Sequence, residues 1–232
     1  MKRQITHLLL VLLASSTLAR AETVAEDPAA AEREGCGARA AEAVQNRYRD
    51  VEDLSASFVQ TSRPAGPAAA SGPTTASGSV VLAVPGRMRW TYDKPEKSLV
   101  VSDGETLWLY DPAFGEAQKL AVGSGGYLSG AALQFLLGKG ELTHEFEVRT
   151  RACDAVVAEL ALVPRTPAGY ERLVIWVDPK RGDMHRIEIS DLLGSRTLVE
   201  FSGVELNRRP AAALFRFEPP EGVSVIDLST GS

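Results

Sequence analysis

A chain of 232 residues with 30 acidic against 25 basic side chains carries a formal charge of −5. That balance argues against nucleic acid as a partner, because phosphate binding needs a basic footprint. The length is sufficient for one sizeable hydrophobic core without a second domain.

Lys2 and Arg3 precede an apolar run over 5–13, and Ala19-Arg20-Ala21 supplies small residues around a cleavage point. This pattern predicts a signal peptide over 1–21, cut near Ala21, and the run falls short of the roughly 20 residues of a membrane span. Cleavage removes Lys2, Arg3 and Arg20, leaving an acidic, exported chain. The first cysteine, Cys36, does not follow the cut, so the chain itself is not expected to carry a lipid. Cys36 and Cys153 are an even pair in an oxidising compartment, which favours a disulfide over two free buried thiols. Residues 22–35, rich in Ala, Glu and Pro, read as a disordered leader, and 36–232 as a single domain.

A helix is expected over 36–50, with Ala41, Val44, Tyr48 and Val51 on one face. Alternating segments then predict strands near 54–61, 77–84, 87–93, 98–102, 106–110 and 116–121. A second group follows near 144–151, 156–164, 170–177, 184–190, 197–206 and 214–218. Residues 62–75 form a flexible connection between neighbouring strands. The exception to the strands lies at 127–138, where Leu133, Leu136 and Leu137 at helical spacing predict a short second helix. Regular strands separated by Gly, Asp and Pro turns indicate a large antiparallel meander.

Catalytic patterns are scarce. No Gly-x-Ser-x-Gly elbow, His-Glu-x-x-His helix or phosphate-cradling loop occurs. His144 and His185 each fall in an alternating strand, and the carboxylates Glu145 with Glu147 and Glu188 with Asp191 read as solvated strand faces. Arg181-Gly182-Asp183 reads as a turn. No catalytic residue, metal ligand or cofactor is therefore assigned. What remains is apolar: Met88, Trp90, Leu107, Leu109, Val174, Trp176, Ile187, Ile189, Val199 and Phe201 lie in alternating strands. On pattern alone, a conventional sandwich core is the plainer reading of these.

The most informative stretch is 88–112. Met88, Trp90 and Tyr92 alternate with Arg87, Arg89 and Thr91, and Asp103-Gly104 turns the chain into Leu107 and Leu109 alternating with Trp108 and Tyr110. Bulky residues occupy both faces of this hairpin, so each face needs a cover, and only one can be the core. This stretch resembles the LolA family, the periplasmic carriers of outer-membrane lipoproteins. Residues 51–61 are similar to the family's helix-to-first-strand junction, and 215–223 to its closing strand.

The resemblance implies a mainly β fold with helices, a curled antiparallel sheet forming an incomplete half barrel, lidded by the N-terminal helix and the short central helix. It implies an apolar cavity for acyl chains, with Phe58, Met88, Trp90, Leu107, Leu109, Leu133, Leu136 and Leu137 as candidate lining residues. The implied function is a periplasmic shuttle, not an enzyme. Its partners would be acylated lipoproteins, an inner-membrane lipoprotein-releasing ABC transporter as donor and an outer-membrane acceptor, with the protein a monomer. Another lipid as cargo, or a lipid-sensing regulatory role, are the alternatives. One departure stands out. Many members place Arg before the Pro that opens the Met88 strand, where it latches the lid; here the pair is Val84-Pro85. Alternation puts Arg87 and Arg89 on the face opposite Met88.

Overall fold

The structure, a computed structural model, describes residues 28–122 and 141–229. The chain opens with helix α1 (Pro28–Tyr48). Pro28 stands at its first turn, where a missing N–H costs nothing, and Ala-rich sequence carries it onward. The helix expected from Cys36 therefore begins earlier, and residues 28–35, read as leader, are its first two turns. The second helix expected over 127–138 lies outside the described residues, as does the signal segment.

Among the described residues, eleven strands follow, as two meanders joined where β1 pairs with β11: β1 (Asp53–Arg63), β2 (Thr74–Ala83), β3 (Arg87–Lys94), β4 (Ser98–Asp103), β5 (Thr106–Asp111), β6 (Glu116–Ala121), β7 (Phe146–Cys153), β8 (Ala158–Pro164), β9 (Tyr170–Val177), β10 (Met184–Asp191) and β11 (Arg196–Leu206). A short β12 (Ser224–Asp227) closes the series. One helical turn, α2 (Leu142–Glu145), precedes β7, so His144 sits in a helical turn rather than in the strand expected there. All the described strands join one sheet in the order β12-β6-β5-β4-β3-β2-β1-β11-β10-β9-β8-β7. Neighbours are antiparallel except β12, which runs parallel to β6. The curled sheet stays open, with β12 and β7 at its edges.

The connection after β1 contains a 3-10 helix (Gly66–Ser71) between the paired strands β1 and β2. The strand expected over 214–218 is absent. In its place, a 3-10 turn (Ala212–Phe215) and extended chain lie across the outer side of the sheet.

Register separates the two faces. On the inner face, one ladder runs Thr150–Leu160–Ile175–Ile187–Val199–Gln60 from β7 to β1. Helix α1 packs over the β7 and β8 end of this face, placing Ala40, Ala41, Val44 and Tyr48 in one core with Leu160, Leu162 and Phe146. Gly37 allows that approach, because a methyl group there would overlap the Thr150 side chain. Cys36 is bonded to Cys153, with Cα atoms 6.0 Å apart, stapling the helix to the end of β7. At its far end, the Tyr48 hydroxyl accepts the Met184 amide at 3.2 Å, and Arg47 pairs with Asp183 at 2.7 Å.

The outer face has a different cover. Its central ladder is Val81–Arg89–Val101–Trp108–Lys119. Phe217 packs on Trp108 and Tyr110 at centroid distances of 5.5 and 5.2 Å. The Arg87 guanidinium lies 5.2 Å from the Phe215 ring centroid, and Arg89 Nη1 donates to the Leu214 carbonyl at 3.0 Å. The C-terminal segment thus covers the outer side of β3 to β5, while α1 covers the β7 and β8 end of the inner side.

Candidate functional site

On the inner face of β1 to β6, alternation gathers the bulky side chains into two parallel rows. One row is Leu54–Leu82–Met88–Ser102–Leu107–Leu120 and the other is Ala56–Val80–Trp90–Val100–Leu109–Gln118. Of the residues singled out in sequence, Phe58, Met88, Trp90 and Leu107 are buried on this face, at 2%, 6%, 2% and 4% exposure. Leu109 shares the face and is half-buried. The structure brings these five together; Leu133, Leu136 and Leu137 lie outside the described residues.

A third row explains the aromatic centre. Phe58, Gly78 and Tyr92 stand opposite one another across β1, β2 and β3. The glycine leaves room between two rings, which meet edge to face at 5.2 Å. A side chain at Gly78 would also collide with the Thr91 carbonyl. Phe58 meets Trp90 edge to face at 4.7 Å, and Trp90 stacks over Tyr92 at 6.5 Å. Edge-to-face pairs of this kind add about 0.5–1.5 kcal/mol beyond the area they bury. Tyr92, Val100, Val80 and Gly78 were not singled out as site residues, although the alternation that marked Met88 and Trp90 extends to Tyr92.

Polar groups on this face are few. The Tyr92 hydroxyl donates to Gln60 Oε1 at 3.1 Å, and burial raises its pKa above the ordinary tyrosine value, keeping it a neutral donor. Ser102 turns its hydroxyl to the Gly86 carbonyl at 3.2 Å. The Trp90 indole N–H is buried and finds no acceptor among the described residues. An unmet donor of this kind costs about 1–3 kcal/mol.

Nothing in the arrangement positions an acid against a base. His144 is exposed, with its ring nitrogen 3.4 Å from the Glu145 carboxylate, while His185 is exposed on β10. Among the described residues, no three His, Cys, Asp or Glu side chains cluster in a way that could hold a metal. No described helix is long and apolar enough to cross a membrane. What the face offers is a broad, largely apolar wall, aromatic at its centre.

Residues 49–218 match the family model described as outer membrane lipoprotein carrier protein LolA. An outer-membrane lipoprotein carrier protein of Nitrosospira multiformis is 36% identical over 157 residues, covering 66% of this chain and 72% of the relative. One from Neisseria meningitidis serogroup B is 28% identical over 190 residues, covering 82% and 87%. Among solved structures, a LolA superfamily protein from Nitrosomonas europaea is similar at a TM-score of 0.41 and 11% identity, covering 79% of this chain and 97% of that one.

Proposed function

The chain belongs to the LolA family, and from that premise we propose that it is a periplasmic carrier shielding the acyl chains of lipoproteins on their way from the inner to the outer membrane. Its donor in this reading is an inner-membrane lipoprotein-releasing ABC transporter, and its recipient an outer-membrane acceptor. The signal segment is removed near Ala21, and the protein works as a monomer. The observation that carries the reading is the continuous apolar face of β1 to β6, built on Phe58, Met88, Trp90, Leu107 and Leu109.

The physics of transport suits such a face. Each methylene taken out of water is worth about 0.8 kcal/mol, so several acyl chains bind well without a specific polar site. Delivery requires that they also leave. A wall with unbranched Met88 beside Leu107 and Leu109 adapts to chains of varied length and avoids a single deep fit. The carrier is not an enzyme in this reading, because neither step breaks a covalent bond.

The test is recovery of the protein from the periplasm without detergent, followed by mass spectrometry of what comes with it. The expected result is acylated N-terminal peptides of lipoproteins. Stoichiometric phospholipid or glycolipid would reassign the cargo, and stable protein complexes free of any lipid would overturn the carrier reading.

A further inference from the structure

One end of the sheet carries an apolar tip that the carrier reading does not use. Two connections meet there, the β1–β2 loop and the β10–β11 turn. They are joined by the Ala65 amide donating to Ser195 Oγ at 3.2 Å, with Gly194 packed near Ala65. Residues 64–73 read Pro-Ala-Gly-Pro-Ala-Ala-Ala-Ser-Gly-Pro and 192–195 read Leu-Leu-Gly-Ser, so neither connection contains a charge. Turns normally favour Asn, Asp, Gly, Ser and Pro, because these satisfy the bent backbone. Here the turn presents Leu192 at 68% and Leu193 at 87% exposure. The tip is also rigid, since the Asp191 carboxylate accepts the amides of Leu193 at 2.9 Å and Ser195 at 2.8 Å. At the same end of the sheet, the β5–β6 turn exposes Phe114 at 81%.

Immediately behind the tip lies a row of cations. Arg172, Ser190, Arg196 and Arg63 are consecutive partners across β9, β10, β11 and β1, on the outer face. Arg63 and Arg196 stand directly opposite each other, an arrangement that like charges disfavour. Neither has an ion-pair partner among the described residues, and Arg172 reaches only Glu171, at 4.0 Å. Within the same row, Arg172 Nε and Ser190 Oγ are buried without hydrogen-bond partners among the described residues. Arg63 and Arg196, opposed and without an ion-pair partner among the described residues, favour an anionic surface that meets them from outside.

We propose that this end of the molecule docks on an anionic lipid bilayer, with Leu192 and Leu193 entering the interface and Arg63, Arg172 and Arg196 facing the lipid phosphates. A protruding, uncharged tip fits a deformable interface, and the guanidinium row supplies the charge complementarity that favours phosphate-bearing headgroups. The surface is separate from the apolar wall of β1 to β6, so the inference stands whether or not that wall carries acyl chains.

The experiment is cosedimentation of the protein recovered from the periplasm with vesicles of phosphatidylglycerol and phosphatidylethanolamine, or of phosphatidylcholine alone. The protein should partition onto the anionic vesicles and far less onto the zwitterionic ones. Leu192→Ser with Leu193→Ser should reduce partitioning on the order of tenfold by removing the inserted side chains. Arg63→Gln with Arg196→Gln should reduce it about thirtyfold on anionic vesicles and leave phosphatidylcholine binding unchanged. Both pairs are exposed, so circular dichroism and thermal melting should match the parent. Absence of binding to anionic vesicles overturns the proposal. So does binding that survives the paired Ser substitutions, which would place the contact on another surface.

Discussion

Removing the Cys36–Cys153 bond tests whether the staple acts mainly on the folded or the unfolded chain. The bond spans 117 positions. Chain entropy assigns a closed loop of that length about 5 kcal/mol of stabilisation, an upper figure from which any native strain subtracts. Against a total stability of about 5–15 kcal/mol for a domain, that is a third or more. The folded state has other anchors for α1: buried Ala40, Ala41 and Val44, the Gly37 backbone seated on Thr150, and the Tyr48 hydroxyl on the Met184 amide. A Cys36→Ser, Cys153→Ser variant should therefore keep native circular dichroism while its urea midpoint falls sharply. Its m-value should rise, because an unlinked denatured chain exposes more surface. Two results would refute this reasoning. Equal midpoints for oxidised and reduced parent protein would mean that the bond contributes nothing. Protease cleavage inside α1 under native conditions would mean that the bond holds the helix down, and that the packing anchors do not.

Met88→Glu should impair recovery of acylated cargo at a stability cost within about 2–3 kcal/mol, the lost burial of one Met, if the face is wetted when empty; a far larger loss in urea melts would mean a dry core. Gly37→Ala should destabilise the protein although helix propensity alone favours Ala by about 1 kcal/mol, whereas Gly35→Ala, near only the flexible Arg39 side chain, should stabilise it. Equal signs for the two variants in thermal melts would remove the close approach to Thr150 from the account. Asp154 and Asp178 are held below the ordinary aspartate range by backbone amides, those of Val157 and Val156 for the first and of Arg181 and Lys180 for the second. Folded, these groups take up protons less readily than unfolded, so their contribution is complete above the ordinary aspartate value and disappears as pH falls through the lower folded value. Asp154→Asn with Asp178→Asn should flatten that acid limb in melts recorded across pH, and an unaltered limb would count against it.

Most of the strands were legible because a half-buried strand writes its two faces into alternate residues. Tyr170–Val177 matches its expected span, and the ends of β3 to β6 fall within one residue of theirs. The same signal misled at 214–218. Phe215 and Phe217 do turn toward the sheet, but they cross its outer face without entering a ladder, and alternation reports burial, not pairing. Pro219-Pro220 then removes two amide donors in succession. β12 left no trace, since its four residues are all exposed. The early start of α1 was hidden because Ala, Glu and Arg are good helix formers and also typical of disordered leaders. At the site, Phe58, Met88, Trp90, Leu107 and Leu109 could be placed on one face by counting. The role of Gly78 could not, because it depends on Phe58 and Tyr92 meeting across an intervening strand.

The two-sided bulk of the 88–112 hairpin now has a physical division of labour, and it accounts for where the arginines went. Arg87 donates to the Val84 carbonyl at 2.7 Å and lies over Phe215, and Arg89 holds the Leu214 carbonyl. Both cations near Pro85 are therefore spent on fastening the C-terminal segment to the outer face. Neither inner row, from Leu54 to Leu120 or from Ala56 to Gln118, contains an arginine. The arginine that many members of the family place before this Pro has no counterpart in these rows, whose polar side chains are Ser102, bonded to the Gly86 carbonyl, and Gln118, bonded to Glu116. In the carrier reading proposed above, a closure over these rows would rest on apolar contact or on a latch supplied from another residue. In that reading, and with apolar closure, cargo supplying equivalent apolar contact would displace the cover without first breaking a buried ion pair, whose rupture would cost about 3–5 kcal/mol.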